Sequence, residues 1–510
     1  MDKYPIILGQ ISVVTATYSL LGVYAMAVLY FVVNGMRKTT NMSDYALGSV
    51  QFSPAFVGLS LAASMTSAAT FIINPGLIGT YGISGFISYG LALPVAAIFS
   101  LVLLTKGFRK FGNKVSALTM AQWMGNRYKN EKFALFFAFL SLLLITFIVL
   151  ICVGITQVLS KALGLDPAYA LAGVIVFVFG YMMFGGANSM VYTNTIQAVS
   201  MVIVAIILIS SGYEYFEKGV NDFFNKLTAI DPNLTKPLNP ESPLFRDYFE
   251  IIFCQIVVGI AVVCQPHILT KSLLLKKSTD VNRYLLVGAT VQFLFFLVVI
   301  AGLYARIEFP DMKIGDTPIA PDGLISTYVV TKFPVYLSII IIFGLISAGM
   351  STLEGLIQSL SSTITSDIIM KVSPEAFRKK LEDGKAGIMV NKIVIILLAI
   401  VSFLFSYQQL INPNMSVAIF AQNGVYAYFS CAFIPVLFGM FLPRANTNAV
   451  IIAALSALII HFGMYYGGIT AYMQTTVKNP AIASTAAILG SSIIGILLYF
   501  VLPKKQYHDM

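Results

Sequence analysis

Long runs of apolar residues alternate with short polar connections along nearly the whole chain. The runs have the length of about 20 residues that a helix needs to cross the hydrocarbon core of a bilayer. The pattern therefore predicts an all-α membrane protein with about thirteen transmembrane helices. The predicted spans cover residues 10–34, 54–79, 82–105, 133–160, 167–185, 189–212, 249–268, 284–306, 334–368, 389–408, 415–441, 447–467 and 480–502.

The composition narrows the class of protein further. Of the 510 residues, 58% are apolar and 11% are charged, and the mean hydropathy is +0.84. A soluble domain carries roughly 25% charged residues, so soluble enzymes and nucleic-acid-binding proteins are excluded. We expect the lipid bilayer as a partner, no nucleic acid, and a monomeric chain.

The basic residues indicate how the chain is oriented. They concentrate in alternate loops, which the positive-inside rule assigns to the cytoplasm. The clusters begin at Arg37, Lys106, Lys271, Lys371 and Arg444, and the net charge is +10. With an odd number of spans, the N-terminus then lies outside and the C-terminus lies in the cytoplasm. We therefore expect a multi-pass protein of the cell membrane, either plasma or inner.

Two of the predicted spans contain signals of interruption. The second combines small residues with the hydroxyls of Ser64, Thr66, Ser67 and Thr70, and the seventh contains Gln265-Pro266-His267. Small residues alone are also typical of close helix packing in membranes. Proline, however, removes a backbone hydrogen bond from a helix, and broken helices at corresponding positions are typical of inverted repeats.

Spans two and seven are five apart, so they predict two inverted repeats of five helices each. The domains are then a first helix and cytoplasmic loop, a first repeat, an external loop, a second repeat, and two C-terminal helices with a short tail. These cover residues 1–53, 54–212, 213–248, 249–441 and 442–510.

The ninth span carries a polar stripe. Ser347, Ser351, Glu354, Gln358 and Ser362 recur at helical spacing, so they share one face. Ser351 also stands next to Thr352, which places two hydroxyl oxygens together. With exposed carbonyls of a broken helix they would suit Na+, although such hydroxyls also bond to carbonyls of their own helix.

Four motifs follow in order within residues 40–445. They are Asp44-Tyr45-Ala-Leu-Gly48, Gly185-Gly186 with Tyr192-Thr193-Asn194-Thr195-Ile196-Gln197, Gln265-Pro266-His267-Ile268-Leu269, and Met350-Ser351-Thr352-Leu353. They resemble D-Y-F-L-G, G-G…W-T-D-x-x-Q, Q-P-H-I-L and M-S-T-L of the sodium:solute symporter family. That family includes sodium-coupled proline, pantothenate, monocarboxylate, sialate and sugar transporters.

The resemblance implies a five-plus-five inverted-repeat (LeuT-like) core that works by alternating access. It also implies a sodium-coupled secondary active symporter, not an enzyme, that imports a small organic solute with Na+ as the co-transported ion. Uncharged residues at Ala69, Phe147 and Val262 suit pantothenate, a short monocarboxylate or a neutral amino acid such as proline.

The resemblance also implies particular site residues. The sodium site of the family falls on the carbonyls of Ala63, Thr66 and Ala348 and the hydroxyls of Ser351 and Thr352. Substrate contacts fall on Ser64, Ser67, Thr70 and Gln265. The aspartate that helps to hold a second sodium in some relatives is Asn194 here, so a second sodium is not expected.

Glu354 is the one charged residue that the pattern places deep in a span. Two interpretations stay open: a solvated carboxylate in a vestibule, and a coupling or exit site that sodium passes, a role for which Asn194 is a second candidate. The alternative functions are a proton-coupled transporter of the same fold that uses Glu354, and a non-transporting sensor or channel.

Overall fold

The structure, a computed structural model, consists almost wholly of helices. It describes residues 13–48, 52–115, 117–275, 277–376, 378, 384–412, 416–442 and 444–504. The chain ends, residues 1–12 and 505–510, lie outside the described residues. The predicted positions of the two termini, and the start of the first predicted span, therefore fall outside them as well.

The described residues of the first part of the chain form ten helices. They are α1 Val13–Met36, α2 Met42–Leu47, α3 Pro54–Met65, α4 Asn74–Tyr81, α5 Ile83–Gly85, α6 Leu93–Val115, α7 Met120–Tyr128, α8 Glu131–Leu140, α9 Ile145–Leu163 and α10 Pro167–Ser210. Short π-helical or 3-10 segments join some of them, namely Ala69–Ile73, Phe86–Ala92 and Ser141–Leu144.

The connection that follows α10 is itself helical. It contains the 3-10 segments Tyr213–Phe216 and Pro232–Thr235 on either side of α11, Val220–Ile230. Phe223, Leu227 and Leu234 are buried, so this connection packs against the rest of the protein.

Where the structure describes it, the second part of the chain contains eleven more helices. They are α12 Gln255–Val262, α13 Pro266–Leu269, α14 Val281–Leu297, α15 Ala301–Glu308, α16 Leu324–Lys332, α17 Val335–Thr363, α18 Met370–Val372, α19 Gly384–Ile411, α20 Val417–Phe441, α21 Thr447–Gly467 and α22 Pro480–Val501. The π-helical segments are Phe249–Cys254 and Ile364–Ile369, and the 3-10 segments are Thr270–Leu274, Ser278–Asp280, Val298–Ile300, Pro321–Gly323 and Ala471–Met473. Strands β1, Lys313–Ile314, and β2, Thr317–Pro318, pair antiparallel.

The spans agree with the predicted number. Among the described residues, 10 helical stretches are long and apolar enough to cross a membrane, and 2 bent pairs add further spans. Helix α10 has 44 residues, about twice the length that one crossing needs. It is divided at Gly186, whose φ of 56° favours glycine, so it supplies two of the thirteen.

The first bent span breaks just after α3. Pro54–Met65 and Ala69–Tyr81 meet at 56°, and Thr66 has the non-helical angles φ −111° and ψ 100°. The Ser67 hydroxyl accepts a hydrogen bond from the backbone N–H of Ala69 at 3.1 Å, where the helix resumes. Pro75 does not cause the break, because the π-helical segment Ala69–Ile73 lies between it and Thr66.

The second bent span breaks where the proline predicts it. Phe249–Val262 and Pro266–Leu274 meet at 59°. Gln265 is extended, with φ −71° and ψ 140°, because a residue before proline is disfavoured in the helical region. Pro266 then occupies the first turn of α13.

Helix α17 lies at the centre of the protein. It packs against α1, α3, α9, α10 and α13, and its residues from Gly344 to Gln358 are buried. The polar stripe of α17 is therefore buried inside the protein rather than exposed to lipid.

Helices α4 and α15 approach each other so closely that Gly302 leaves no room for a side chain. A Cβ there would lie 1.9 Å from the carbonyl oxygen of Pro75, whereas one at Gly173 in α10 would have no neighbour within 4 Å. We expect Gly302→Ala to lower the melting temperature of the purified protein by several degrees, because overpacking costs about 1–3 kcal/mol. Gly173→Ala is the matched control and should leave it unchanged or slightly raised. Equal melting temperatures would contradict the close contact.

Candidate functional site

Two adjacent hydroxyls of α17 face the break in the first bent span. Ser351 Oγ donates to the carbonyl oxygens of Ala63 at 2.8 Å and of Ala348 at 3.0 Å. Thr352 Oγ1 donates to the carbonyl oxygen of Ser64 at 3.2 Å and lies 3.4 Å from that of Ala63. The Thr352 hydroxyl therefore bonds across to α3, and the Ser351 hydroxyl reaches one carbonyl on α3 and one in its own helix.

Thr66 is the fifth residue of the predicted sodium set. It is fully buried and ends α3, and its Oγ1 has no hydrogen-bond partner among the described residues. The other four predicted ligands (Ala63, Ala348, Ser351 and Thr352) are joined directly by hydrogen bonds. Carbonyl and hydroxyl oxygens at a broken helix are groups that can coordinate Na+.

An open cavity lies between the two broken spans. Three of the four predicted substrate contacts line it, namely Ser67, Thr70 and Gln265. Ala69, Phe147 and Val262, which the sequence suggested as uncharged lining, are also at its wall. Among its described lining residues, no side chain is an Asp, Glu, Lys or Arg.

Four polar atoms of residues that line this cavity are buried without a hydrogen-bond partner among the described residues. Asn74 Oδ1, Gln265 Oε1 and Gln422 Oε1 are buried, and so is His267 Nδ1. None of these atoms has a hydrogen-bond partner in the part of the chain that the structure describes. A molecule that carries hydroxyl or amide N–H donors would satisfy them, and unsatisfied buried acceptors are costly.

Glu354 is not a solvated vestibule residue, and that interpretation was wrong. Its side chain is 0% exposed. Oε1 accepts from Tyr181 Oη at 2.6 Å and Gln197 Nε2 at 2.8 Å, and Oε2 accepts from Thr193 Oγ1 at 2.6 Å. A role of Glu354 in coupling or sodium exit stays a prediction.

Lys271 is a second buried charge, which the sequence analysis missed by placing it in a cytoplasmic loop. It is only 3% exposed. Its Nζ donates to the carbonyl oxygen of Ser60 at 2.8 Å and to Ser64 Oγ. Ser64, a predicted substrate contact, therefore lies at Lys271 and next to the hydroxyl pair, and not at the cavity wall.

Asn194 connects the two buried charges. Its amide satisfies its surroundings when the oxygen accepts from Lys271 Nζ at 3.1 Å and the nitrogen donates to Glu354 Oε2 at 3.1 Å. In this orientation the nitrogen also donates to Gln197 Oε1 at 2.8 Å. The orientation of an amide is assigned from such networks.

A signal for Lys271 was present in the sequence. Pro266 can begin a new helical segment as well as end one, and the segment after it continues to Leu274. A span continued from residue 268 to the end of this segment would have placed Lys271 inside the membrane. Its partners on α3 and α10, however, are about 200 and 80 residues distant in the chain and could not be read from its neighbours.

The fold and this site together define a class: a membrane carrier with two broken helices around a cluster of buried oxygens. A match to the model of the sodium:solute symporter family extends over residues 45–460. The chain belongs to this family, as the four motifs indicated.

Curated relatives carry more specific names. A sodium/pantothenate symporter of Haemophilus influenzae is 28% identical, with 83% of this chain and 84% of that protein covered. A sodium/pantothenate symporter of Escherichia coli is 26% identical over 92% and 94% of the two chains. The osmoregulated proline transporter OpuE of Bacillus subtilis is 23% identical over 86% and 87%.

A solved structure shares the fold. It is a Na+-coupled sialic acid symporter in a substrate-bound, outward-open state, with a TM-score of 0.78 and 18% identity. The similarity covers 97% of this chain and 99% of that one. The predicted all-α membrane fold with a LeuT-like core is thereby confirmed.

The hydrogen bonds to Glu354 predict a specific loss of stability. Thr193→Val removes a donor at 2.6 Å from a buried carboxylate, and hydrogen bonds to charged groups contribute about 1.5–3 kcal/mol. We expect a clearly lower melting temperature for this variant. Thr195→Val is the matched control, since its hydroxyl bonds only to backbone carbonyls at a more exposed position. Equal losses in the two variants would count against the network around Glu354.

Proposed function

We propose that the protein is a sodium-coupled secondary active symporter that imports a small organic solute by alternating access. The observation that carries this proposal is the convergence of Ser351 and Thr352 on the carbonyls of α3 at its break. The solute cavity is lined by Ser67 and Thr70 just beyond the same break. An ion and a solute that bind here would act on one segment of backbone.

The sodium ion is proposed to bind the carbonyl oxygens of Ala63, Thr66 and Ala348 and the hydroxyl oxygens of Ser351 and Thr352. The repeats that would rock against each other are residues 54–212 and 249–441. The positive-inside rule favours a cytoplasmic C-terminus and an external N-terminus.

Pantothenate is our first candidate for the solute, ahead of a monocarboxylate or proline. Its hydroxyls and amide N–H are donors for the free oxygens of Asn74, Gln265 and Gln422. Proline brings only its amine, and a short monocarboxylate brings fewer donors. The names of the two relatives at 28% and 26% identity point the same way.

Uptake into proteoliposomes tests the function. We expect labelled pantothenate to accumulate when an inward sodium gradient is imposed, and not when choline replaces sodium. Proline and lactate, offered as competitors, rank the other solutes. Accumulation driven by a proton gradient without sodium would instead favour the proton-coupled alternative that uses Glu354.

The hydroxyl pair allows a direct test of the ion site. Ser351→Ala with Thr352→Val removes two proposed sodium ligands and nearly preserves side-chain volume. We expect the sodium concentration for half-maximal uptake to rise about tenfold or more. A tenfold rise corresponds to a loss of about 1.4 kcal/mol in the binding free energy of sodium.

Ser402→Ala is the matched control for this experiment. Ser402 is buried in α19, away from the proposed site, and its hydroxyl has no partner in the described part of the protein. It should leave the sodium dependence unchanged. A double variant with wild-type sodium dependence and normal abundance would overturn the ligand assignment.

A further inference from the structure

We infer that Lys271 is a tethered cation, whose ammonium occupies a second cation position beside the proposed sodium site and keeps a further ion out. The inference rests on the proposed function for its meaning in transport. It concerns residues that the sodium site does not include. Its basis is the pattern of oxygen atoms around the ammonium and around Glu354.

The oxygens around Lys271 Nζ form a site for a cation. They are the carbonyl oxygen of Ser60, the hydroxyl of Ser64 and the amide oxygen of Asn194. An ammonium group has three hydrogens to donate, and each has an acceptor here. The position is buried and is built by α3 and α10, so the ammonium is enclosed rather than reaching into water.

The negative charge that this cation balances is Glu354. The carboxylate has about four acceptor positions, and four donors occupy them: Tyr181, Gln197, Thr193 and Asn194. Lys271 reaches Glu354 only through the amide of Asn194. A buried charge that loses its partner is strongly destabilised, so removal of Lys271 would create a demand for another cation.

The tethered cation lies next to the proposed sodium site. The Ser64 hydroxyl accepts from Lys271, while the Ser64 carbonyl accepts from Thr352 at 3.2 Å. The ammonium of Lys271 and the hydroxyl pair of α17 therefore both form hydrogen bonds to α3. Lys271 lies on the second bent span and Ser64 on the first, so the ammonium also joins the two broken helices.

Equilibrium binding of ²²Na+ to purified protein tests this inference without any requirement for transport. We expect Lys271→Met to bind one Na+ ion more than the wild type, because the oxygens of Ser60, Ser64 and Asn194 and the charge of Glu354 would be left without a cation. The double variant Lys271→Met, Glu354→Gln removes both charges and should bind the same number of ions as the wild type.

Asn194→Asp provides a test in which Lys271 stays in place. The added carboxylate would lie beside the ammonium, so we expect this variant to bind no additional sodium. An additional ion in Asn194→Asp, or none in Lys271→Met, would overturn the inference.

Folding gives a second measurement for the same variants. Lys271→Met should be recovered in higher yield and melt at a higher temperature in sodium than in choline, by a larger margin than the wild type. Failure to fold even in sodium would show that the ion cannot replace the ammonium, and would overturn the inference.

The two proposals fail in different ways. A wild type that binds no sodium would contradict the proposed function. The difference in bound sodium between Lys271→Met and the wild type would still decide the role of Lys271.

Discussion

A helix that breaks inside a bilayer loses backbone hydrogen bonds that lipid cannot replace. This structure depends on the side chains that bond to the exposed backbone groups instead. At the break after α3, the carbonyls of Ala63 and Ser64 receive hydrogen bonds from Ser351 and Thr352 of α17. The central position of α17 follows from this requirement, because only a buried polar face can supply such donors. The Ala63 carbonyl and both hydroxyls also belong to the proposed sodium site, so the contacts that hold the break together lie at that site.

The buried charges obey a related constraint. The side chains of Lys271 and Glu354 are both buried. A buried pair of charges is tolerated only when the other hydrogen-bonding positions of the two groups are also filled. Asn194 makes this possible, because one amide can accept from the ammonium and donate to the carboxylate. A carboxylate at Asn194 would add a second negative charge to the cluster. The neutral amide therefore matches a site whose cation is already part of the chain.

In the proposed mechanism, ion and solute are coupled through a short piece of backbone. Ala63 and Thr66 belong to the proposed ion site, while Ser67 and Thr70 line the cavity. Coupling between two ligands requires that each prefers the same conformation of the protein. The two half-helices meet at 56°. The proposed ion site and the cavity lie on either side of this bend, so both ligands would depend on it. This arrangement gives a physical route for sodium to change the affinity for the solute.

The sequence by itself determined the membrane class, the thirteen spans, the break at Pro266 and the pairing of hydroxyls at Ser351 and Thr352. These features depend on local properties: the length of an apolar run, the geometry of proline and the spacing of residues on a helix. Only the tertiary structure decided which carbonyls the hydroxyls meet, since Ser351 and Ala63 are 288 residues apart. It also decided that Lys271 is buried and that Glu354 is enclosed by donors from α10. Burial of a charge depends on neighbours contributed by several helices. These neighbours cannot be predicted from the hydrophobic periodicity along one helix.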